Sequence, residues 1–177
     1  KWFIDHLAPE GRAGVIVPNG VLFGSTNAAT SVRELLLTEC DLQAVISLPS
    51  GVFRPYAGVA TAVLIFEKGR KTESVWFYDL TADGFSLDDK RTPIAANDIP
   101  DLLSKWPSRE EGPNSYRVPI EKIKENDWSL AAGRYKPVTT EAVSHDAPGE
   151  ILAEVLDLES RIVERGNALL AKLGKKV

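Results

Sequence analysis

The stretch LQAVISLPSGVFRPYAGVATAVLIFEKG, residues 42–69, decides the fold of this chain. An apolar run at residues 44–48 ends in a Leu-Pro-Ser-Gly loop, and a second apolar run follows at residues 61–67. The connection has roughly ten residues and no helical pattern, whereas a parallel crossover needs about a dozen residues and usually a helix. The strand at 61–67 is therefore predicted to run antiparallel to its neighbour.

An earlier stretch, GRAGVIVPNGVLFG at residues 11–24, has the same arrangement of a strand and a loop. Its apolar run, residues 13–17, predicts a buried strand that ends in Val-Pro-Asn-Gly. Residues 31–40 lie between the two strands and predict a helix, because apolar side chains recur there at helical spacing. Two strands joined by a helix form a right-handed parallel unit by default. Ligand-binding loops lie at the carboxyl ends of such strands, so both loops are candidates for a site.

The other patterns predict smaller elements. Residues 73–80 alternate well enough for a strand, and the turn dipeptide Asp83-Gly84 should bring residues 85–87 back beside it. Residues 99–106 and 120–125 predict short helices. The predicted buried face of the helix at 31–40 consists of Val32, Leu35, Leu36 and Cys40.

The longest helix is predicted at residues 150–173. Its apolar side chains step by four and three along most of the length, which is heptad spacing. They include Ile151, Val155, Leu158, Ile162 and Leu169. Such a face must be buried against something, either another chain or the sheet of this one.

Composition narrows the class of protein. The 177 residues are 44% apolar and 26% charged, which is typical of a globular protein, and no apolar run is long enough to span a membrane. The net charge of −4 argues against a DNA clamp that works alone, since such clamps are usually basic. A single cysteine, Cys40, excludes an internal disulfide, and His6 and His145 show no metal-ligand spacing. A reducing, cytoplasmic setting is expected.

These residues resemble the M (modification) subunit of type I restriction–modification systems, which are N-6 adenine DNA methyltransferases. LAPEGRAGVIVPNGVLFG and DLQAVISLPSGVFRPYAGVATAVLIFEKG are similar to the family's strand after the catalytic motif and to its target-base loop. VWFYDLTADGFSLDDKRTPI and NDWSLAAGRYKP are similar to stretches further downstream. The resemblance implies methyl transfer from S-adenosylmethionine to adenine in DNA, together with a specificity and a restriction subunit as partners.

The family's glycine-rich cofactor motif and its Asn-Pro-Pro-aromatic catalytic motif do not occur in this sequence. The chain also has no methionine and begins KWFIDHL, so it is interpreted as a piece of a longer protein. We therefore expect no catalytic residue and no metal ligand here, and we expect the isolated chain to be inactive.

The resemblance implies a role for residues in both loops. Phe53 matches the aromatic residue that stacks on the extruded base, although its loop context alone favours a core position. The candidate substrate-binding residues are Pro18, Asn19, Gly20, Phe23, Ser50, Gly51, Arg54 and Tyr56. Arg54 could contact a phosphate or remain a solvated surface arginine.

The predicted fold class is α/β, the carboxyl half of a Rossmann-like methyltransferase sheet with one antiparallel strand and a C-terminal helical extension. The predicted divisions are residues 1–69 (sheet), 70–137 (hairpin and short helices), 138–149 (linker) and 150–177 (helix). A competing hypothesis is a non-catalytic assembly module that docks its last helix on a specificity subunit or on a second copy. A third is an unrelated nucleotide-binding domain, for which no phosphate-binding glycine loop is seen.

Overall fold

The computed structural model describes residues 1–137 and 148–174, which fall into two compact units. The first unit spans Lys1–Pro137, and the second carries the C-terminal helix. Most of the predicted linker at 138–149, including His145, lies outside the described residues.

The elements largely follow the sequence patterns. The helices are α1 (Trp2–His6), α2 (Gly20–Phe23), α3 (Asn27–Glu39), α4 (Ile99–Lys105), α5 (Ile120–Lys124) and α6 (Pro148–Leu173). The strands are β1 (Arg12–Pro18), β2 (Cys40–Leu48), β3 (Thr61–Lys68), β4 (Ser74–Asp79), β5 (Asp83–Phe85), β6 (Pro93–Asn97) and β7 (Ser115–Pro119). A 3-10 turn covers Ala132–Arg134.

Five strands form a mixed sheet in the order β1-β3-β2-β4-β7. β3 lies between β1 and β2 and is antiparallel to both, which confirms the direction predicted for it. β1 and β2 therefore point the same way but are not neighbours, while β2 and β4 pair in parallel. The expectation of one antiparallel strand was wrong, because β7 adds a second at the opposite edge.

The predicted hairpin of residues 73–80 with 85–87 was also wrong. The free edge of β4 pairs with β7, where Tyr116 stacks on Phe77 with ring centroids 5.5 Å apart. β5 pairs instead with β6 in a separate two-stranded sheet. The Asp98 carboxylate turns the chain away from β4 by accepting hydrogen bonds from the backbone N–H groups of Thr81 and Ala82.

Apolar side chains cover both faces of the five-stranded sheet. One face packs against α3 and the segment that follows α5, and the other packs against residues of α4 and Trp106. The buried side of α3 differs from the predicted one, since Val32 is 40% exposed and Arg33 is buried. The sheet also takes strands from both sides of residue 69, so the division proposed there stays a prediction.

The second unit is the 26-residue helix α6. The large apolar side chains described from Leu152 to Leu173 are exposed, from 46% at Leu158 to 70% at Ile162. No helix in the described part of the chain is long and apolar enough to cross a membrane.

Candidate functional site

The two candidate loops begin at the same end of the sheet, where β1 and β2 end. In the strand register, Thr61 lies opposite both Pro18, the last residue of β1, and Leu48, the last residue of β2. The backbone N–H of Asn19 donates to the carbonyl oxygen of Ala60 over 3.0 Å. The insertion of β3 between β1 and β2 thus brings the two loops side by side.

The first loop continues into the short helix α2, which sequence patterns did not predict. Leu22 fixes this helix in the core, while Phe23 is 56% exposed. Pro18 and Gly20 are also exposed. The loop therefore presents an aromatic side chain beside its Pro-Asn-Gly turn.

A buried arginine holds the first loop from below. Arg33 is 4% exposed, and its Nη1 donates to the carbonyl oxygens of Val21 and Gly24, each over 3.0 Å. Its Nε donates to the carbonyl oxygen of Trp128 over 2.9 Å. Burial lowers the pKa of Arg33, but the guanidinium remains the charged donor for these carbonyls. Sequence reasoning missed this residue, although an arginine within an apolar helical stripe was a signal.

The second loop folds into consecutive turns. The N–H groups of Tyr56 and Ala57 both donate to the carbonyl oxygen of Phe53. Tyr56 is 96% exposed, whereas Phe53 is half-buried. Phe53 does not belong to either apolar cluster formed by the described residues, so its ring is not a member of the core.

The ribbon of β5 and β6 supports the second loop. Gly51 is buried with φ 96°, and a Cβ atom there would lie 2.6 Å from the carbonyl oxygen of Leu87, so only glycine fits. Arg54 Nη1 lies 3.1 Å from a carboxylate oxygen of Asp89. Gly51 and Arg54, two of the predicted substrate-binding residues, therefore hold the second loop in place. Ser50, another of them, is exposed.

Two buried polar atoms where the loops meet have no hydrogen-bond partner among the described residues. They are Asn19 Oδ1 and Thr61 Oγ1. An unpaired buried polar group costs about 1–3 kcal/mol, so each such group in a native structure requires an explanation. Thr61 was not among the predicted residues, because a threonine at the start of a strand carries no local signal of function.

Within residues 1–137 and 148–174, no three histidine, cysteine, aspartate or glutamate side chains gather as potential metal ligands. The sequence-predicted residues lie on two loops that follow the strands on either side of β3, and Phe23 and Tyr56 are exposed there. Such an arrangement can hold a planar ligand beside the end of the sheet.

A family model described as N-6 DNA methylase matches residues 1–146. The chain belongs to the N-6 DNA methylase family. The methylase subunit of the type I restriction enzyme EcoEI from Escherichia coli is 36% identical over 179 residues. That alignment covers 97% of this chain but 36% of the relative, so the chain spans about a third of the length of this curated methylase.

Solved structures agree with the family. A chain from the structure that addresses complex assembly and conformational transition of the type I R-M system is 28% identical, with a TM-score of 0.63. It is matched over 96% of this chain and 37% of its own length. A modification subunit of a putative type I restriction enzyme from Vibrio vulnificus YJ016 is 28% identical with a TM-score of 0.62, covering 76% of this chain and 29% of that one.

Proposed function

We propose that this N-6 methylase chain is the target-base half of the adenine-specific DNA methyltransferase subunit of a type I restriction–modification system. The parent reaction would transfer a methyl group from S-adenosylmethionine to the exocyclic amine of adenine. The observation that carries the proposal is the convergence of the Val-Pro-Asn-Gly and Leu-Pro-Ser-Gly loops at one sheet edge, in a chain of this family.

An enzyme that modifies a base amine must take that base out of the DNA stack, which costs a few kcal/mol. Stacking on an aromatic ring returns about 1–3 kcal/mol per base. Phe53 is proposed to supply that ring, since it is half-buried but outside the apolar core. Tyr56 and Phe23 are exposed on the two loops and would flank the same base.

Cofactor binding and amine activation are assigned to residues outside this chain. The sequence contains neither an Asn-Pro-Pro motif nor the family's glycine-rich cofactor motif, so none of its residues is given a catalytic role. We therefore propose that these 177 residues alone do not methylate DNA. The parent enzyme, acting on DNA in the cytoplasm, would supply the rest.

The test compares two proteins in a methylation assay with an adenine-containing duplex and S-adenosylmethionine. The longer open reading frame, expressed with its specificity subunit, should transfer methyl groups to adenine. The 177-residue chain should transfer none and should not bind the cofactor in the micromolar range. Methyl transfer by the isolated chain, or none by the longer protein, contradicts the proposal.

A second proposed role is assembly. The exposed apolar side chains of α6, including Val155 and Ile162, favour a helical contact with another chain. The structural relative that aligns over 96% of this chain comes from work on assembly of a type I system. We propose the specificity subunit as the partner of this helix, with self-association as the competing outcome; the restriction subunit would join the same complex.

A further inference from the structure

A concavity of about 940 Å³ lies at the opposite end of the sheet from the two loops. Its wall includes Arg12, the first residue of β1, and Ser74, the first residue of β4. Arg117 of β7 and the segment after α4, with Trp106 and Arg109, complete it. The base-handling loops leave the other ends of β1 and β2, so this concavity is a separate feature.

Positive charge is concentrated in this concavity, although the chain as a whole carries a net charge of −4. Five of its lining residues are cationic, namely Arg12, Arg70, Lys71, Arg109 and Arg117. Two are acidic, namely Asp41 and Glu73. The excess of cations requires either solvent or an anion to balance it.

The cations differ in whether a carboxylate already neutralises them. Arg12 lies 2.9 Å and Arg70 lies 3.8 Å from the buried carboxylate of Glu67. In the described part of the chain, the cationic groups of Lys71, Arg109 and Arg117 form no ion pair within 4.0 Å, although the Glu111 carboxylate accepts a hydrogen bond from the backbone N–H of Arg117 over 3.1 Å. Three cationic side chains of the concavity are therefore without a direct ion pair among the described residues, and Asp41 and Glu73 are the carboxylates that share the concavity with them.

Arg109 is held in place before any ligand arrives. Its guanidinium carbon lies 3.4 Å from the ring centroid of Trp106, and its backbone has the left-handed φ of 55°. Arg117 Nη2 approaches the backbone carbonyl oxygen of Arg109 at 3.5 Å, which places the Arg117 guanidinium beside the Arg109 backbone. Burial and the neighbouring charge of Arg117 lower the pKa of Arg109, while the Asp41 carboxylate acts in the opposite direction. The cations of the concavity outnumber its carboxylates, so the two neighbouring guanidinium groups favour an added anion.

We propose that this concavity is a phosphate-binding site, in which Arg109 and Arg117 bind the oxygens of one phosphate and Lys71 contacts a neighbouring one. Planar guanidinium groups bind phosphate through paired N–H donors, whereas lysine acts as a flexible point charge. The phosphate can belong to a DNA backbone or to a free polyphosphate. This site is separate from the base-handling loops, and phosphate binding there does not depend on the role proposed for them.

The experiment uses the 177-residue chain, a short DNA duplex and inorganic tripolyphosphate, with tryptophan fluorescence as the readout because Trp106 lies under Arg109. The wild-type chain is expected to bind one or both probes. The double variant Arg109→Gln/Arg117→Gln is expected to bind about ten-fold more weakly, since two phosphate contacts are lost. The slope of log affinity against log salt for duplex DNA should fall by about 1.8, or about 0.9 per contact.

The matched control is Lys122→Gln/Arg134→Gln, which removes the same charge from exposed positions outside the concavity. If the arginine double variant loses duplex binding and the control does not, a DNA backbone is supported as the ligand. If the arginine double variant loses tripolyphosphate binding and the control does not, a free polyphosphate is supported. Equal losses in both double variants, or no binding of either probe by the wild-type chain, overturn the proposal.

Folding is checked by thermal unfolding of every variant. If Arg109→Gln unfolds the chain, the exposed residues Lys71 and Arg117 provide a second pair, because neither is part of the apolar clusters. Lys71→Gln/Arg117→Gln must then weaken binding of a probe while the control pair does not; unchanged binding contradicts the site.

Discussion

The Nε atom of Arg33 donates a hydrogen bond to the carbonyl oxygen of Trp128 over 2.9 Å, across 95 positions of sequence. Asp127 and Trp128 both have positive φ angles, of 54° and 55°, and the carbonyl groups of both face the guanidinium. The same arginine holds the carbonyl groups of the first candidate loop. The segment after α5 and the Val-Pro-Asn-Gly loop thus depend on one side chain.

Arg33→Lys is expected to lower the free energy of unfolding by about 3 kcal/mol, because an ammonium cannot replace the guanidinium at several buried carbonyl groups. Arg134→Lys is the control, since Arg134 is exposed and its guanidinium has one long contact, to Asn126 Oδ1 at 3.3 Å. Urea denaturation measures both variants. Equal stability of the two variants would show that the buried arginine is dispensable.

Phe53→Ala in the longer methyltransferase is expected to weaken handling of the extruded base roughly five- to hundred-fold, which corresponds to a lost stack of about 1–3 kcal/mol. Affinity for S-adenosylmethionine and the melting temperature should stay close to wild type. Tyr56→Ala is the comparison, because Tyr56 is the more exposed ring of the same loop. A Phe53→Ala protein that melts earlier and loses cofactor binding as well would identify Phe53 as a packing residue.

Thr61→Val is expected to stabilise the chain by about 1 kcal/mol, because it removes a buried hydroxyl without a partner and adds a good strand former. Thr72 gives a matched control. It is equally buried, but its hydroxyl donates to the Cys40 carbonyl oxygen and accepts from the Leu42 N–H, each at 2.8 Å. Thr72→Val should therefore destabilise by about 1–3 kcal/mol. Melting temperatures that fall for both variants would mean that the Thr61 hydroxyl has a stabilising partner.

Acid is expected to weaken the attachment of the β5–β6 ribbon through Asp98. Burial opposes ionisation of this carboxyl group, but hydrogen bonds from Thr81 and Ala82 outweigh it and lower the pKa of Asp98. A carboxyl group whose pKa is lower in the folded chain than in the unfolded chain stabilises the folded state at pH values above its unfolded-state pKa. That stabilisation disappears as the pH falls through the pKa of the group in the folded state. Asp98→Asn should flatten the dependence of stability on pH below about 4. Denaturation midpoints from pH 7 to pH 2.5 measure this, and curves that stay parallel would contradict it.

Charges placed on α6 at Val155 and Ile162 are expected to abolish capture of the specificity subunit by the chain. Both side chains are exposed, at 52% and 70%, so the double variant Val155→Asp/Ile162→Asp should leave the melting of the sheet unchanged. Glu154→Lys/Glu164→Lys, which changes polar residues of the same helix, is the control. Co-precipitation with the specificity subunit gives the readout. The assembly role fails if the wild-type chain captures neither that subunit nor a second copy.

The sequence was informative where local pattern and loop length determine structure. The direction of β3 followed from a connection too short for a crossover, and α6 followed from its apolar spacing. The position of β3 between β1 and β2 could not be predicted, because the order of strands depends on which edges pair in three dimensions. β7 was missed because Ser115–Pro119 is a short strand that contains Arg117 and ends in proline.

The residues of the candidate site likewise fall into those that the sequence could predict and those that it could not. The loops and their aromatic residues could be found because strand ends and turn residues leave a local pattern. Arg33, Thr61 and Leu87 could not, because their importance comes from partners that are distant in sequence or, for the Thr61 hydroxyl, from the lack of one among the described residues. The close approach of Leu87 to Gly51 links the second loop to a ribbon with no recognisable signature of function.

The strand β1 has a consequence for handling this protein. It pairs with β3 on one side, and in the described residues no strand pairs with its other side; its Ile16 side chain, on one face of the sheet, is 54% exposed. An open edge of seven residues is a template on which a second chain can add a strand, which promotes aggregation. Solubility of the isolated chain will therefore depend on protein concentration, and a lysine at Ile16 should improve it without altering either loop.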